Sequence, residues 1–395
     1  MSDFSSKNDS VISAHDNPQK IKVLRIIARM NVGGPAIQVT GLMQKMNSEI
    51  FDQKLVTGYV SDKEADYLLV KEIKLSELRI EGLGRSVNLY SDFLAFIKLI
   101  RLVNRFKPEI IHTHTAKAGV LGRLSWITLG YKPKLVHTFH GHLLHGYFGQ
   151  TKTKLLILIE RLLGYITNQF FAVGEKVANE LIAAKIAPSR RFKVMPPGLE
   201  IKNIPSRSDI LIKYNLDPNY FYCTFLGRVT AIKNPNRFLS LAESFAGRND
   251  KIRFLLVGDG ELLENCRQVI REKKLPAITL GWIANVEEVL AITDLMILTS
   301  DNEGMPLSLI QAGMAGIPAV ATNVGSVSEV VINNQTGFVT DKEVSSMANG
   351  IERLISDNVL YDQFSKTAHE YCLSHFSLDR LVSDHENIYQ ALISN

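Results

Sequence analysis

The stretch SDNEGMPLSLIQAGMAGIPAVAT, residues 300–322, determines how we interpret the fold of this chain. It joins an acidic loop to a segment that Pro306 opens as a helix, because proline suits the first helical position. IPAVAT, at 317–322, then has the continuous apolar character of a strand that is buried on both faces. A loop, a helix and a buried strand in this order predict part of a parallel sheet covered by helices.

Similar apolar runs alternate with helical patterns along the whole chain. The runs predicted as strands are 21–28, 53–59, 109–114, 134–139, 169–173 and 192–195, followed by 221–227, 251–258, 294–300 and 317–322. The two series are separated by MPPGLE (195–200), whose prolines and glycine are typical of a linker. We therefore predict an α/β protein with two doubly wound, Rossmann-like domains that face each other across a cleft.

Length and composition agree with this fold class. A chain of 395 residues suits two domains, and 46% hydrophobic with 22% charged residues is typical of a globular protein. Residues 1–20 are polar and have no apolar h-region, so we expect a disordered tail outside the core. No run of 18 apolar residues occurs, so no membrane-spanning helix is predicted. Cys223, Cys266 and Cys372 form no C-x-x-C pair, which fits a reducing, cytoplasmic environment.

The net charge of +5 conceals an asymmetry between the two halves. Residues 1–198 hold 28 Lys and Arg against 16 Asp and Glu, whereas the remainder holds 17 against 24. Two interpretations remain open: an ordinary solvated surface, or a basic face for a phosphate-bearing partner or an anionic membrane. Nucleic acid is not an expected partner, because the chain has no recognised nucleic-acid motif and no stripe of interleaved basic and aromatic residues.

The segment TKTKLLILIERLLGYIT, residues 151–167, lies in the basic half. Lys152, Lys154 and Arg161 flank its apolar residues, a pattern found both in buried helices and in helices that lie on anionic membranes. The second interpretation predicts peripheral attachment of the first domain to lipid.

In doubly wound sheets, ligands bind at the carboxyl ends of strands, where loops lead into helix N-termini. After the first predicted strand, Gly33 and Gly34 allow close approach of the backbone to a ligand, and Pro35 suits the first helical position. Arg228 and Lys233 follow the first strand of the second series and form a natural clamp for a diphosphate. Neither signal is specific alone, since glycines also build tight turns and cations are common on surfaces.

Six of the ten histidines lie between residues 112 and 145, with H-x-H and H-x-x-H spacing that is compatible with a metal site. That interval has no cysteine, and Glu109 is the only acid close to it. We therefore predict no metal, and expect strand-end hydrogen bonds, caps and one or two histidines that face the cleft. GDGELL (258–263) lacks the third glycine of a dinucleotide fingerprint, so a nicotinamide cofactor is not predicted.

The stretch at 300–322 contains a further candidate ligand-binding loop, after the glycine loop, the loop of Arg228 and Lys233, and the histidine cluster. Pro306 at the helix start leaves N–H groups of the first turn free for an anion. Glu303 precedes the helix, and Gln311 lies about 7 Å further along its axis at about 1.5 Å per residue. A nucleotide diphosphate sugar fits this order of a hydroxylated group, a diphosphate and a second diol. The structural alternative is an acid near a helix cap and a polar residue on a helix, without a ligand.

The chain resembles family 4 glycosyltransferases of the GT-B fold, a group of retaining, nucleotide-sugar-dependent enzymes. The resemblance extends from about residue 22 to residue 393. The motifs that carry it are GGP (33–35), HTFHGH (137–142), FAVGEKVANEL (171–181), LGRVTAIKNP (226–235), VGDGEL (257–262), LGW (280–282), the stretch at 300–322, GSVSEVV (325–331) and TGFV (336–339).

The resemblance also implies the domain organisation. The closing FSLDRLVSDHENIYQALI (376–393) resembles a helix that crosses back to the first domain. On this basis 21–198, together with a C-terminal helix at 377–395, would form an acceptor domain. Residues 199–376 would form the domain that binds the nucleotide sugar.

Functional roles implied by the resemblance fall on both domains. Gly33 and Gly34 would bring backbone to the donor, and His140 would contact the sugar near the reacting carbon. Arg228 and Lys233 would hold the diphosphate and neutralise charge as the nucleotide leaves, so that neither a metal nor another cofactor is needed.

The remaining implied roles belong to the second domain. Glu303 would accept hydrogen bonds from hydroxyls of the donor sugar, and Glu329 is a weaker candidate for the same pocket. Gln311 would bind the ribose, although most of the family has glutamate there. An amide both accepts and donates, so this departure concerns nucleotide affinity more than chemistry. The backbone N–H groups that would line the pocket are those of Gly304, Met305 and Leu307.

The function implied is transfer of a sugar from a nucleotide diphosphate sugar, expected to be UDP-linked, to a lipid-linked or saccharide acceptor in cell-surface polysaccharide, capsule or lipopolysaccharide synthesis. The enzyme is expected in the cytoplasm, at the inner face of the cytoplasmic membrane. Two alternatives share the fold: a nucleotide-sugar 2-epimerase and a catalytically silent GT-B partner subunit. Arg228, Lys233 and Glu303 are all present, which favours an active enzyme over the silent subunit.

Overall fold

A computed structural model of the chain describes residues 20–61, 64–84, 87–141, 150–248 and 250–394. The predicted tail lies outside the described residues except for its last position, Lys20. His142 and His145 of the histidine-rich segment lie outside them as well. The described elements form two parallel sheets with helices between the strands, which is the predicted α/β GT-B architecture.

The first sheet has seven strands: β1 (Ile21–Arg29), β2 (Phe51–Gly58), β3 (Glu77–Arg79), β4 (Ile110–His114), β5 (Lys134–Phe139), β6 (Gln169–Ala172) and β7 (Phe192–Val194). Its helices are α1 (Gly34–Lys45), α2 (Tyr67–Val70), α3 (Leu89–Phe106), α4 (Ala116–Ser125), α5 (Gln150–Ile166) and α6 (Glu175–Ala183), with 3-10 turns at Trp126–Thr128 and Ser189–Arg191. The spatial order is β3-β2-β1-β4-β5-β6-β7 and all pairs are parallel. The order reverses between β1 and β4, which is where such sheets open a ligand crevice.

The second sheet has six strands: β8 (Phe221–Leu226), β9 (Ile252–Val257), β10 (Ala277–Gly281), β11 (Leu295–Leu298), β12 (Ala319–Thr322) and β13 (Gly337–Thr340). Its helices are α7 (Arg207–Lys213), α8 (Pro235–Phe245), α9 (Leu263–Lys273), α10 (Val286–Ile292), α11 (Leu307–Met314), α12 (Val344–Ser356) and α13 (Asn358–Phe376), with 3-10 turns at Ala231–Lys233 and Val327–Glu329. The order β10-β9-β8-β11-β12-β13 reverses between β8 and β11. A last helix, α14 (Leu378–Ser394), ends the described chain.

Helix α3 shows how the sequence specifies these elements. The Asn88 side chain caps the helix by accepting from the N–H groups of Tyr90 and Ser91. Ala95, Leu99, Val103 and Phe106 are its buried residues, and their spacing of three and four places them on one face. The helix ends at Lys107, which adopts the left-handed conformation directly before Pro108.

The C-terminal helix crosses back to the first sheet, as predicted. The chain passes between the two sheets twice, near residue 199 and near residue 377, and these two segments lie side by side. Leu199 N donates to Phe376 O at 2.8 Å, and Leu378 N donates to Leu199 O at 2.9 Å. Helix α14 then packs on α1, where a Cβ at Gly41 would lie 2.6 Å from Leu378 Cδ1. The N-terminal domain is therefore the first sheet with its helices and α14, and the C-terminal domain is the second sheet with its helices. The boundaries at 198/199 and 376/377 stay predictions.

A buried polar network fixes α14 to the first sheet. Arg25 of β1 is fully buried and donates to the Tyr389 hydroxyl at 3.0 Å. His112 of β4 contacts both, with Nδ1 3.1 Å from Arg25 Nη1 and close to the same hydroxyl. His385, one turn before Tyr389, stacks on His112 with ring centroids 5.8 Å apart. The helix is thus held by a specific set of polar contacts in addition to apolar packing.

Candidate active site

Loops from both domains meet between the carboxyl ends of the two sheets. In the N-terminal domain they follow β1 and β5, and in the C-terminal domain they follow β8 and β11. These are strands at or beside the two points where the strand order reverses. The loops that the sequence singled out therefore come together at the position where doubly wound sheets bind ligands.

The glycine loop after β1 forms one wall of the cleft. Gly33 is the N-cap of α1 and has an extended backbone. Gly34 is the first helical residue and Pro35 the second, so the proline lies one position later than predicted. A Cβ at Gly34 would lie 3.4 Å from Leu307 Cδ1, which places this loop against the start of α11 in the other domain.

His140 follows β5 and is half-buried. Its Nε2 lies 3.0 Å from Nδ1 of His114, the last residue of β4, so one ring donates to the other. Burial lowers the pKa of His140 to about 3. Burial, the neighbouring imidazoles and Arg25 hold the pKa of His114 well below its usual range. Both rings are therefore neutral near pH 7, and His140 can bind a ligand through hydrogen bonds but not as a cation.

Lys233 and Glu303 form an ion pair at the ends of β8 and β11. Lys233 Nζ lies 2.6 Å from Glu303 Oε1, and the Ser300 hydroxyl donates to the same oxygen. Glu303 is largely buried, with a side-chain exposure of 8%. A buried carboxylate held by a cation and a hydroxyl is oriented for further hydrogen bonds through its second oxygen.

Arg228 lies on the same loop as Lys233 but is exposed. Within the described residues its guanidinium makes no hydrogen bond or ion pair. The two predicted clamp residues therefore differ: Lys233 is paired with Glu303, whereas Arg228 is available for an anion.

The start of α11 lies beside this ion pair. Pro306 is the N-cap, with φ −75° and ψ 106°, so its extended backbone delays the helix to Leu307, one residue later than predicted. Gln311 lies one turn into the helix, is half-buried, and its side chain makes no hydrogen bond to any residue the structure describes. Met305 is buried with 9% exposure. The helix start and Gln311 thus follow one another along α11, and their contact with a donor stays a prediction.

The two domains touch at a pair of glycines. A Cβ at Gly304 would lie 2.9 Å from the Cα of Gly141 and 3.1 Å from the carbonyl oxygen of His140. This close approach needs a residue without a side chain and brings the loop of Glu303 directly opposite His140. The structure therefore brings together Gly34, His140, Glu303, Gly304 and Leu307.

Glu329 lies at the contact between the domains. Its carboxylate accepts hydrogen bonds from two backbone amides of α6, those of Glu175 at 2.7 Å and Lys176 at 3.2 Å. Its predicted role in donor binding stays a prediction, and both of its oxygens already have partners in this conformation.

Three histidines of the histidine-rich segment lie in strands of the first sheet. His112, His114 and His137 are buried within β4 and β5, where His112 Nε2 bonds the Thr138 hydroxyl at 2.7 Å and His137 Nδ1 bonds the Thr113 hydroxyl at 2.8 Å. Within the described ranges, no group of three or more His, Cys, Asp or Glu side chains is placed to hold a metal ion.

Two site residues were missed from the sequence, His114 and Ser300. His114 had a detectable signal, because H-x-H in a strand places both histidines on one face and the second at the strand end. Ser300 had none, since its role depends on the turn that brings its hydroxyl to Glu303.

The fold and the site together define a GT-B glycosyltransferase. Two family descriptions match the sequence: "Glycosyltransferase Family 4" over residues 32–203 and "Glycosyl transferases group 1" over residues 206–371. The chain belongs to glycosyltransferase family 4.

Proteins similar to this chain include named bacterial glycosyltransferases. One is the UDP-Gal:alpha-D-GlcNAc-diphosphoundecaprenol alpha-1,3-galactosyltransferase of Escherichia coli, 28% identical over 331 residues that cover 80% of this chain and 84% of that protein. Another is the capsular polysaccharide biosynthesis glycosyltransferase CapM of Staphylococcus aureus, 21% identical over 78% of this chain and 83% of that protein. The structure of Anabaena Alr3699/HepE in complex with UDP and glucose superposes with a TM-score of 0.79 at 20% identity, covering 94% of this chain and 99% of that one.

Proposed function

We propose that this enzyme transfers a sugar, with retention of anomeric configuration, from a UDP-linked donor to a lipid-linked saccharide in cell-surface polysaccharide synthesis. The observation that carries the proposal is the pairing of Lys233 with Glu303 beside the start of α11. A cation suited to a diphosphate and a carboxylate suited to sugar hydroxyls stand 2.6 Å apart. Arg228 on the same loop adds a second cation.

The donor would exchange partners with this ion pair. Its diphosphate would take Lys233 and Arg228, and Glu303 would turn its free oxygen to hydroxyls of the sugar. The N–H groups of the first turn of α11 would face the same diphosphate. Gln311, four residues after Leu307 and therefore about 6 Å along the axis, would reach the ribose.

Transfer would take place on one face of the sugar. The bond between the anomeric carbon and the diphosphate oxygen breaks, and the acceptor oxygen forms its bond to that carbon from the same side. The acceptor proton passes to the departing diphosphate oxygen. Arg228 and Lys233 stabilise the charge on the leaving UDP, while neutral His140 bonds the sugar without protonating that oxygen.

The identities of donor and acceptor rest on relatives and on charge. The Escherichia coli relative is named for UDP-Gal as donor and for GlcNAc-diphosphoundecaprenol as acceptor. We propose the same chemical classes here: a UDP-hexose and a saccharide joined to a polyprenyl diphosphate. The 15 basic against 4 acidic residues in 101–198 suit an acceptor that carries a diphosphate.

Helix α5 supports attachment to a membrane. Among the described helices, none combines the length and the apolar character that crossing a bilayer requires. One face of α5 nevertheless exposes large apolar side chains at intervals of three and four residues. They are Leu155 (58% exposed), Leu158 (52%), Leu162 (60%) and Tyr165 (81%). Lys152, Lys154 and Arg161 are exposed alongside them, whereas the opposite face buries Glu160 and Leu163. Helix α5 is thus buried on one face and exposed on the other.

The start of α3 adds a second group of exposed apolar side chains. They are Val87 (80% exposed), Leu89 (86%), Tyr90 (75%) and Phe93 (59%). Helices α3, α4 and α5 pack in succession, so both groups belong to one layer of the N-terminal domain. We propose that this layer lies on anionic lipid at the cytoplasmic face of the membrane, where a polyprenyl-linked acceptor is anchored.

Donor binding can be tested by thermal unfolding. A ligand at a hundred times its dissociation constant stabilises the folded state by about 2.7 kcal/mol. We expect UDP and at least one UDP-hexose to raise the Tm of the wild type, GDP to raise it less, and Lys233→Ala to lose most of the increase. The absence of an increase with every nucleotide and nucleotide sugar would contradict the proposed donor class.

A further inference from the structure

The start of α6 has no capping side chain of its own. The first amides of a helix have no partner within the helix, and the N-cap here is Gly174. The partner comes from Glu329, 154 residues further along the chain and in the other domain. Its negative charge also suits the positive end of the helix dipole. These amides therefore keep this partner only while the two domains are together.

Gly174 allows the approach. A Cβ at this position would lie 2.6 Å from Ser326 Oγ and 2.9 Å from Glu329 Oε2. The backbone of Gly174 is extended, with φ −159° and ψ 162°, a conformation that any residue adopts. The lack of a side chain, and not backbone freedom, is thus what the contact needs. Alanine at 174 would force the Ser326 hydroxyl and the Glu329 carboxylate away from the start of α6 while leaving the carboxylate chemically intact.

The same turn supports the candidate sugar-binding loop. Ser326 N donates to the carbonyl oxygen of Gly304 at 3.2 Å. Gly325 has φ +49°, and a Cβ there would lie 1.7 Å from the carbonyl oxygen of Glu303, so the two segments are in direct backbone contact. From the other side, the Tyr371 hydroxyl of α13 donates to Glu329 O at 2.9 Å. A shift of Glu329 would therefore be passed to the backbone of Glu303 and Gly304.

We propose that Glu329 is a positioning residue, which holds the cleft closed through α6 and thereby sets Glu303 and Gly304 opposite His140. The effect of Glu329 on donor affinity rests on the proposed function. The closed conformation, in contrast, is a property of the free protein. When the closed form is less populated, the apparent affinity for the donor falls by the same fraction.

The first test uses free protein. Small-angle X-ray scattering should give a larger radius of gyration for Glu329→Ala and for Gly174→Ala than for the wild type. The double variant should be no more open than either single variant, because both substitutions remove the same contact between Glu329 and the start of α6. Glu352→Ala, which removes an exposed carboxylate of α12 in the same domain, should match the wild type. Unchanged radii in both single variants would overturn the proposal, whether or not the enzyme uses a UDP-sugar.

The second test separates a contact between domains from direct contact with the donor. With UDP as the probe, we expect both single variants to bind at least about tenfold more weakly than the wild type, since the closed form is depleted. A role of Glu329 in direct donor contact alone predicts weaker UDP binding in these variants, with a radius of gyration unchanged from that of the wild type. That outcome would contradict the positioning role. If the wild type binds no UDP, the proposed function fails, and the scattering result still decides the role of Glu329.

Discussion

Lys233 and Glu303 hold each other in the free enzyme, whereas Gln311 and Arg228 have no side-chain partner among the described residues. A bound donor would replace the existing contact between Lys233 and Glu303. At Gln311 and Arg228 it would make new contacts without breaking any. Loss of Gln311 or Arg228 should therefore affect binding or turnover with little effect on stability, because neither side chain has a hydrogen-bond partner to lose among the described residues.

Gln311 gives a prediction at this scale. Gln311→Leu would leave ribose hydroxyls without a partner, so we expect donor binding to weaken by about 1–3 kcal/mol. Turnover at saturating donor should be unchanged, because the ribose contact is the same in the ground state and the transition state. Gln311→Glu restores an acceptor-only group but adds a negative charge near the diphosphate, so affinity should change less than about tenfold.

Calorimetric titration with UDP and steady-state kinetics measure these two quantities separately. Normal donor affinity in Gln311→Leu, or a loss confined to turnover, would show that residue 311 does not contact the ribose.

Single residues could be predicted from the sequence where their role depends on neighbours in the chain. Glu303 and Gln311 belong to one loop and helix, and their spacing suggested the candidate site, whose role in donor binding stays a prediction. Glu329 differs, because its partners are amides of α6 that are far away in sequence. No local pattern contains that information.

At the scale of elements, the strands that the sequence did not predict lie at sheet edges. β3 ends the first sheet, and β10 and β13 end the second. The prediction relied on continuous apolar runs, which arise where a strand is covered on both faces. β3 and β10 have no fully buried residue, and β13 is buried over only half its length. β7, the remaining edge strand, was predicted as 192–195 because Phe192 and the residues around it gave an apolar run.

Helix α5 gives a prediction at this scale. Replacing Leu155, Leu158 and Leu162 by serine should leave folding intact, since each side chain is more than half exposed. Flotation with vesicles that contain anionic phospholipid should recover the wild type at low salt, and the triple variant should lose most of this binding. High salt should also release the wild type, because the Debye length falls to about 3 Å at 1 M.

A matched control replaces exposed apolar residues elsewhere. Ile212 and Val359 of the C-terminal domain are 78% and 79% exposed, and their change to serine should leave vesicle binding intact. Equal flotation of both variants, or no flotation of the wild type at low salt, would remove the proposed role of α5.

At the scale of the whole molecule, buried histidines make stability depend on pH. Five histidines of the N-terminal domain have their pKa lowered, chiefly by burial. They are His112, His114, His137, His140 and His385. In the unfolded chain these histidines bind protons below pH 6.5, which is the ordinary pKa of a histidine side chain. In the folded chain His140 and His385 bind protons only near pH 3.

Stability should therefore fall as the pH decreases from 6.5 towards 3, by up to about 1.4 kcal/mol per pH unit for each such proton. We expect a lower Tm at pH 5 than at pH 7.5, and a smaller decrease for His385→Phe, which removes one of the sites. Arg25 beside this cluster adds to the effect, since its charge disfavours protonation of His112 and His385. A Tm that is equal at the two pH values would contradict this account of the network.

The two-domain plan could be predicted because strand and helix patterns repeat along the chain and motifs mark the strand ends. The contact between the domains could not be predicted, because it depends on which residues of the two domains meet. Gly174 and Gly304 lie in motifs that the sequence shows, but neither motif reveals that its glycine packs against the other domain.

The most direct test of the central claim is the product of the reaction. We would incubate the enzyme with UDP-hexoses and GlcNAc-diphosphoundecaprenol, and measure UDP release together with the mass and anomeric configuration of the lipid product. We predict equimolar UDP and an acceptor lengthened by one hexose in retained configuration, only when both substrates are present. Arg228→Ala and Lys233→Ala should each reduce turnover at least a hundredfold, about 2.7 kcal/mol of transition-state stabilisation. UDP or an epimerised UDP-sugar formed without acceptor, or near-native turnover in both variants, would contradict the account.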